Sequence, residues 1–67
     1  MAERIIRRLD AIDAAAAIRD LDLPGFGLHP LKGGRKGTWS IKVSGNWRIT
    51  FQFIGGDAFD LFLEDYH

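Results

Sequence analysis

Thr38-Trp39-Ser40-Ile41-Lys42-Val43-Ser44-Gly45-Asn46-Trp47-Arg48-Ile49-Thr50-Phe51-Gln52-Phe53 decides the fold. Apolar and polar residues alternate on both sides of a Ser-Gly-Asn break, the period of a half-buried strand. Thr38 to Val43 puts Trp39, Ile41 and Val43 on one face, and Trp47 to Phe53 does the same with Trp47, Ile49, Phe51 and Phe53. Glycine and asparagine tolerate the positive φ of a tight hairpin turn. A three-residue Ser44-Gly45-Asn46 loop sets Val43 opposite Trp47 and Ile41 opposite Ile49. On the other face it sets Lys42 directly opposite Arg48. Like charges across a strand pair cost roughly a few tenths of a kcal/mol. A fold tolerates this where an anion lies between them or an acid lies on the next strand.

Moving outward, Ile54-Gly55-Gly56-Asp57 marks a second turn, and Ala58 to Glu64 a third strand with Phe59, Leu61 and Leu63 on its apolar face. Keeping that face on the core leaves Arg48 opposite either Phe62 or Glu64, according to loop length. If it faces Glu64, the basic pair has a structural partner and needs no ligand. Toward the N-terminus, Ile5, Ile6, Leu9 and Ile12 recur at helical spacing over Glu3 to Ile12, with Arg4, Arg7, Arg8 and Asp10 on the other side. Asp13 can cap a second short helix from Ala14 to about Leu21, and one bent helix is the alternative. Asp22-Leu23-Pro24-Gly25 ends the helical run, because proline lacks an N–H and disfavours a helical residue before it. The fold class is therefore α+β: an N-terminal helix, or two short ones, packed on a three-stranded antiparallel meander.

With 67 residues, the chain is expected to form a single domain over 1–67. Dinucleotide-binding folds and barrels are too large to fit. There is no cysteine, hence no disulfide framework and no thiolate nucleophile. No apolar run approaches the roughly 20 residues of a membrane span, and Met1-Ala2-Glu3-Arg4 lacks the order of a signal peptide, so a cytoplasmic protein with no membrane partner is expected. Formal net charge is zero, but unevenly spread. Lys32, Arg35, Lys36, Lys42 and Arg48 fall in residues 23–56 with no acid, whereas Asp57, Asp60, Glu64 and Asp65 fall in residues 57–67 with no base. A basic middle of this kind suits a phosphate-facing surface, or else is cancelled by the acidic last strand.

Gly33-Gly34-Arg35-Lys36-Gly37 is glycine-rich and basic, but it lacks the pattern of a phosphate-binding P-loop. Two histidines, His29 and His67, are too few for the usual zinc site even with Asp65, so no metal is expected. What remains is a set suited to RNA: His29 and Lys32 before the basic loop, Arg48 on a strand, and Asp65-Tyr66-His67 at the end. Cutting RNA without metal needs a base for the 2′-OH, an acid for the leaving 5′-oxygen, and cations for the charge on the phosphorane. These residue types can supply all three.

Leu28-His29-Pro30-Leu31-Lys32-Gly33, Arg35, Gly37-Thr38-Trp39-Ser40-Ile41, Asn46-Trp47-Arg48-Ile49-Thr50-Phe51, Gly56-Asp57-Ala58 and the closing Glu64-Asp65-Tyr66-His67 together resemble the HigB toxins, plasmid-maintenance killer proteins of the RelE superfamily. The likeness runs from about Arg8 to the last residue. It implies a microbial-ribonuclease-like α+β fold and metal-free cleavage of mRNA in the ribosomal A site, with no cofactor. It places His29, Lys32, Arg48, Asp65, Tyr66 and His67 in the catalytic site. Arg48 would contact the scissile phosphate, Asp65 or His29 would transfer protons, and Tyr66 would stack on or orient a codon base. Arg35, Lys36 and Lys42 would bind RNA or the ribosome. The implied partners are the ribosome, its mRNA and a helix-turn-helix antitoxin of the HigA type, with operator DNA met only through that antitoxin.

Members of that family usually begin with a further strand and helix, and this chain starts at what resembles their second helix. An N-terminally shortened form is therefore expected, with an uncovered edge or apolar patch that self-associates or is occupied by the antitoxin. Ser44 stands where relatives often carry Arg or Asn. Two functions follow: a ribosome-dependent endoribonuclease toxin, or a non-catalytic relative that binds antitoxin or RNA.

Overall fold

The computed structural model describes residues 1–35 and 37–65. Helix α1 (Ala2–Ala14) is followed by a 3-10 turn (Ile18–Leu21), strand β1 (His29–Pro30), a second 3-10 turn (Gly33–Arg35), and strands β2 (Thr38–Ser44), β3 (Trp47–Ile54) and β4 (Asp57–Asp65). The strands form one antiparallel sheet in the order β1-β2-β3-β4. The three expected strands are thus present, each a residue or two longer than the alternation indicates. The short β1 adds a fourth strand beside β2, pairing His29 with Ser40 and Pro30 with Trp39.

The helix and the first 3-10 turn cover one face of the sheet. Ile12, Ala15, Leu21, Phe26, Ile41, Val43, Ile49 and Phe51 form the buried core there. Leu21, Ile41 and Phe51 are fully buried, and each such side chain contributes about 1.5–3 kcal/mol. The packing stripe of α1 differs from the expected one. Ile6 and Leu9 stay exposed, whereas Ile5 and Ala11 pack against the core beside Ile12. Arg8, expected on the solvent side, lies on the packing side. Its Nε donates to the Lys42 carbonyl at 2.7 Å, and its guanidinium sits 4.6 Å from the Phe26 ring centroid. The apolar stem and the ring stacking let a guanidinium occupy a position that isoleucine would otherwise take.

Asp13 does not open a second helix, because α1 runs through it to Ala14. The break comes at Ala15, which turns extended with ψ 129°. The following 3-10 turn is capped from within: the Asp20 carboxylate accepts from the Ala16 and Ala17 N–H groups at 3.0 and 3.1 Å. Those bonds hold the Asp20 carboxyl below its ordinary value of 3.8.

Both hairpins carry a correction to the simple arithmetic. Ile41↔Ile49 and Lys42↔Arg48 pair as expected, but Trp47 faces Ser44 rather than Val43. The turn is two residues long, and a bulge between Lys42 and Ser44 supplies the extra residue. The bulge moves Ser44 to the helix side, where its hydroxyl accepts from Arg4 Nη1 at 3.2 Å.

At the second hairpin, Gly55 and Gly56 (φ 61° and 84°) make a two-residue turn. Continued unbroken, that register would set Arg48 opposite Leu63 and turn the apolar face of β4 outward. A bulge opposite Phe51, with Asp60 at φ 55°, restores parity. Beyond it Leu63 faces Ile49, Phe62 faces Thr50 and Glu64 faces Arg48. Before it the faces swap, so Ala58 rather than Phe59 lies on the helix side, and Phe59 joins Gln52 on the other.

Candidate active face

Residues directly opposite each other in antiparallel strands share a face. The face turned away from α1 therefore carries two rows. One crosses the whole sheet as His29, Ser40, Thr50 and Phe62, and the next crosses three strands as Lys42, Arg48 and Glu64. Strands lie about 4.8 Å apart and residues rise about 3.3 Å along them, so the His29 and Arg48 backbones stand roughly 12 Å apart. Side chains of this length reach across much of that span.

His29 is half-buried, and its Nδ1 lies 3.0 Å from the Gly27 carbonyl oxygen. A carbonyl can only accept, so Nδ1 carries the proton and the Nε2 lone pair is left available in the neutral ring. Gly27 holds φ 55°, a left-handed conformation that glycine adopts without strain, and this aims its carbonyl at the imidazole. The chain before β1 is fixed as well, since the Phe26 carbonyl accepts from the Lys42 N–H at 2.6 Å. The Lys42 backbone is thereby held on both its groups, with its side chain exposed on the basic row.

Arg48 is half-buried between exposed Lys42 and partly buried Glu64. Register gives it the acidic neighbour that sequence arithmetic allows, yet the Glu64 carboxylate is bound by a different cation. Arg35, from the 3-10 turn of the glycine-rich loop, donates from Nη1 to Oε1 at 3.0 Å and from Nη2 to Oε2 at 2.6 Å. Thr50 completes the group. Its hydroxyl accepts from Arg35 Nη2 at 3.3 Å and donates to Glu64 Oε2. The bonds from Arg35 and then Thr50 hold the Glu64 carboxyl below its ordinary value of 4.5. Arg35, expected as an RNA contact, is thus partly neutralised within the fold.

Lys32 is exposed at the start of the loop, just beyond the bond from the Leu31 N–H to the Thr38 carbonyl at 2.8 Å. Asp65 is exposed at the end of β4 and pairs with Trp47, so alternation places it on the helix side, apart from the basic row. The expected roles of Lys36, Tyr66 and His67 lie outside the described residues. The structure thus gathers His29, Lys42, Arg48 and Arg35 on one face, leaves Lys32 at its border, and sets Asp65 in the opposite alternation. Thr50 and Gly27 escaped the sequence reading. For Thr50 the available signal was a lone hydroxyl on a strand next to an arginine two residues away.

Chemically, the face presents cations able to meet a phosphodiester and one imidazole nitrogen able to take a proton. Among the described residues, no three of His, Cys, Asp and Glu are grouped to hold a metal ion. Among the same residues, no helix is long and apolar enough to cross a membrane.

Known proteins match this chain closely. Residues 1–67 match the family described as the RelE-like toxin of type II toxin-antitoxin system HigB. Over 65 residues the chain is 60% identical to Endoribonuclease HigB of Proteus vulgaris, covering 97% of this chain and 71% of that protein. Over 61 residues it is 38% identical to Toxin HigB-1 of Vibrio cholerae serotype O1, covering 90% of this chain and 64% of that one.

Proposed function

The chain belongs to the HigB family of RelE-like toxins from type II toxin-antitoxin systems, and from that membership we propose that it is an endoribonuclease that cuts mRNA in the ribosomal A site through the RNA's own 2′-OH. An antitoxin partner follows from the family. The proposed antitoxin is of the helix-turn-helix HigA type, and the proposed place of action is the cytoplasm, on ribosomes carrying mRNA.

The observation that carries the catalytic reading is the row Lys42–Arg48 beside a His29 whose Nε2 is kept as an acceptor. In the proposed reaction a base takes the 2′-OH proton, either His29 on this face or Asp65, which stands at the end of β4 in the opposite alternation, and the 2′-oxygen attacks the adjacent phosphorus. Arg48, with Lys32 nearby, meets the charge that grows on the non-bridging oxygens. The P–O5′ bond breaks, and the 5′-oxygen leaves with a proton from the other proton-transfer group. The products are a 2′,3′-cyclic phosphate and a 5′-hydroxyl. Tyr66 would orient a codon base, and His67 would complete the set. Lys36 and Lys42 add positive charge toward RNA or ribosome.

The test is ribosome-bound mRNA with a single 2′-deoxy nucleotide at the cut site. Cutting of the ordinary RNA alone, with a cyclic or 3′-phosphate end, supports the proposal. Cutting of the deoxy substrate at the same rate would refute 2′-OH attack. Binding of both with cleavage of neither would instead favour the non-catalytic relative.

A further inference from the structure

The glycine-rich loop between β1 and β2 borders the candidate active face, yet little of its own holds it there. A Cβ added at Gly33, Gly34 or Gly37 would meet nothing within 4 Å, and the 3-10 turn Gly33–Arg35 contains no buried residue. Gly33 and Gly37 take φ 70° and 91°, so the loop reverses direction on glycines, and none of its described residues from Gly33 to Gly37 is buried. What reaches the sheet is the Arg35 guanidinium, which spans a sequence separation of 29 residues to lie on Glu64 and 15 to lie on Thr50.

Both of its partners are rigidly placed. Thr50 is fully buried in the middle strand β3, between Ser40 and Phe62, and Glu64 stands directly opposite Arg48. The two oxygens of Glu64 meet two guanidinium nitrogens, a two-point geometry that fixes orientation as well as distance. The Thr50 hydroxyl bridges the two groups, so it sets the carboxylate that receives the arginine.

We infer that Glu64 and Thr50 are positioning residues that latch Arg35, and with it the glycine-rich loop, against the sheet face beside Arg48. The inference rests on the proposed RNA-cutting role of that face for its catalytic consequence only. The latch keeps Arg35 at a constant distance from the Lys42–Arg48 row, so these cations stand in place before substrate arrives. Cations placed in advance lower a barrier more than mobile ones, and small misplacements are costly.

Two readouts test this on the full chain. The first needs no RNA. Trypsin cuts after Arg35 only when that guanidinium enters the protease pocket, which the latch prevents, whereas the bond after Lys32 in the same loop serves as an internal reference. In the wild type the Arg35 bond should be cut more slowly than the Lys32 bond. Glu64→Gln should raise the ratio about tenfold or more, and Arg35→Lys should do likewise, because lysine is also cut but cannot make the two-point contact. Thr50→Ser, which keeps the hydroxyl, should retain the wild-type ratio.

The second readout is steady-state cleavage of ribosome-bound mRNA. Glu64→Gln should lower kcat about tenfold without raising KM, since removing a negative charge cannot weaken attraction to RNA. Thr50→Ser should again track the wild type. An unchanged tryptic ratio in both Glu64→Gln and Arg35→Lys would overturn the latch. A changed ratio with unchanged kcat would overturn its positioning role. If the wild type cuts no RNA, the proposed function fails, while the tryptic ratio still decides whether Arg35 is held.

Discussion

Replacing Arg48 by alanine should separate catalysis from folding, because the structure makes the folding cost small. Arg48 faces Lys42 across β2 and β3, so its removal relieves a like-charge contact worth about 0.2–1 kcal/mol. It also removes a half-buried aliphatic stem, a loss of similar size. The Glu64 carboxylate, opposite Arg48, is not orphaned by the substitution, since it keeps its bonds to Arg35 and Thr50. The net change should stay within about 1 kcal/mol, equivalent to a Tm shift of no more than about 4–8 °C in a chain of this size. Loss of a cation aimed at the phosphorane should cost about 2.7–4 kcal/mol of barrier, or about 10²–10³ in rate. Arg48→Lys should fall between, since it retains the charge without the planar fork. Single-turnover cleavage of ribosome-bound mRNA, run beside a thermal melt of the same samples, measures both quantities. A folded Arg48→Ala protein that cuts within about threefold of the wild-type rate would refute the catalytic assignment. So would a Tm drop of more than about 15 °C at unchanged specific activity, which would make Arg48 a structural residue.

Further outcomes follow from other parts of the fold. Gly56→Ala should destabilise more than Gly45→Ala: a Cβ at Gly56 meets the Ala16 carbonyl oxygen at 3.2 Å, whereas at Gly45 it meets nothing within 4 Å. Both hold positive φ, so about 1–2 kcal/mol is common to the pair, and equal urea midpoints would contradict the argument. Glu64 and Asp20 are held below their ordinary values of 4.5 and 3.8, so the unfolded chain binds protons first as pH falls. Their contribution to stability is full above those values and is lost as pH drops through the lower folded ones. The urea midpoint should therefore fall between about pH 6 and about pH 3, less steeply in Glu64→Gln, and an identical slope would disprove the contribution of Glu64. Phe62 is 61% exposed on edge strand β4, next to exposed Leu61 and Leu63. Self-association of the isolated chain, seen by sedimentation, should weaken in Phe62→Lys with little change in Tm, and undiminished association would move the contact elsewhere.

The elements were legible in the sequence because their causes are local. Alternation along Thr38–Phe53 located β2 and β3 to within one residue, since side-chain direction in a strand depends only on position parity. The opposition of Lys42 and Arg48 could also be counted from the turn, and it held although a bulge rather than a longer loop supplied the extra residue. The match of residues 1–67 to the RelE-like toxin family agrees with the resemblance carried by the Leu28–Gly33 and Asn46–Phe51 blocks. Of the candidate site, His29 and Arg48 could be named from sequence as residue types suited to RNA cleavage.

Tertiary structure decided whatever depended on a single residue added to a strand or on a long side chain choosing among partners. Whether Arg48 met Leu63 or Glu64 turned on one bulge at Asp60, and no local pattern fixes a left-handed aspartate at that position. The same bulge exchanged Phe59 for Ala58 on the helix side. Arg8 fitted a polar stripe by spacing, yet the Phe26 ring and the Lys42 carbonyl drew it to the packing side. Glu64 had several basic residues within reach of its part of the sheet, and it took Arg35, 29 residues away, because the loop's glycines let that guanidinium turn onto the strand where Thr50 already held the carboxylate. Alternation is set by neighbours along the chain, whereas the choice of ion-pair partner is set by which backbones the fold brings together.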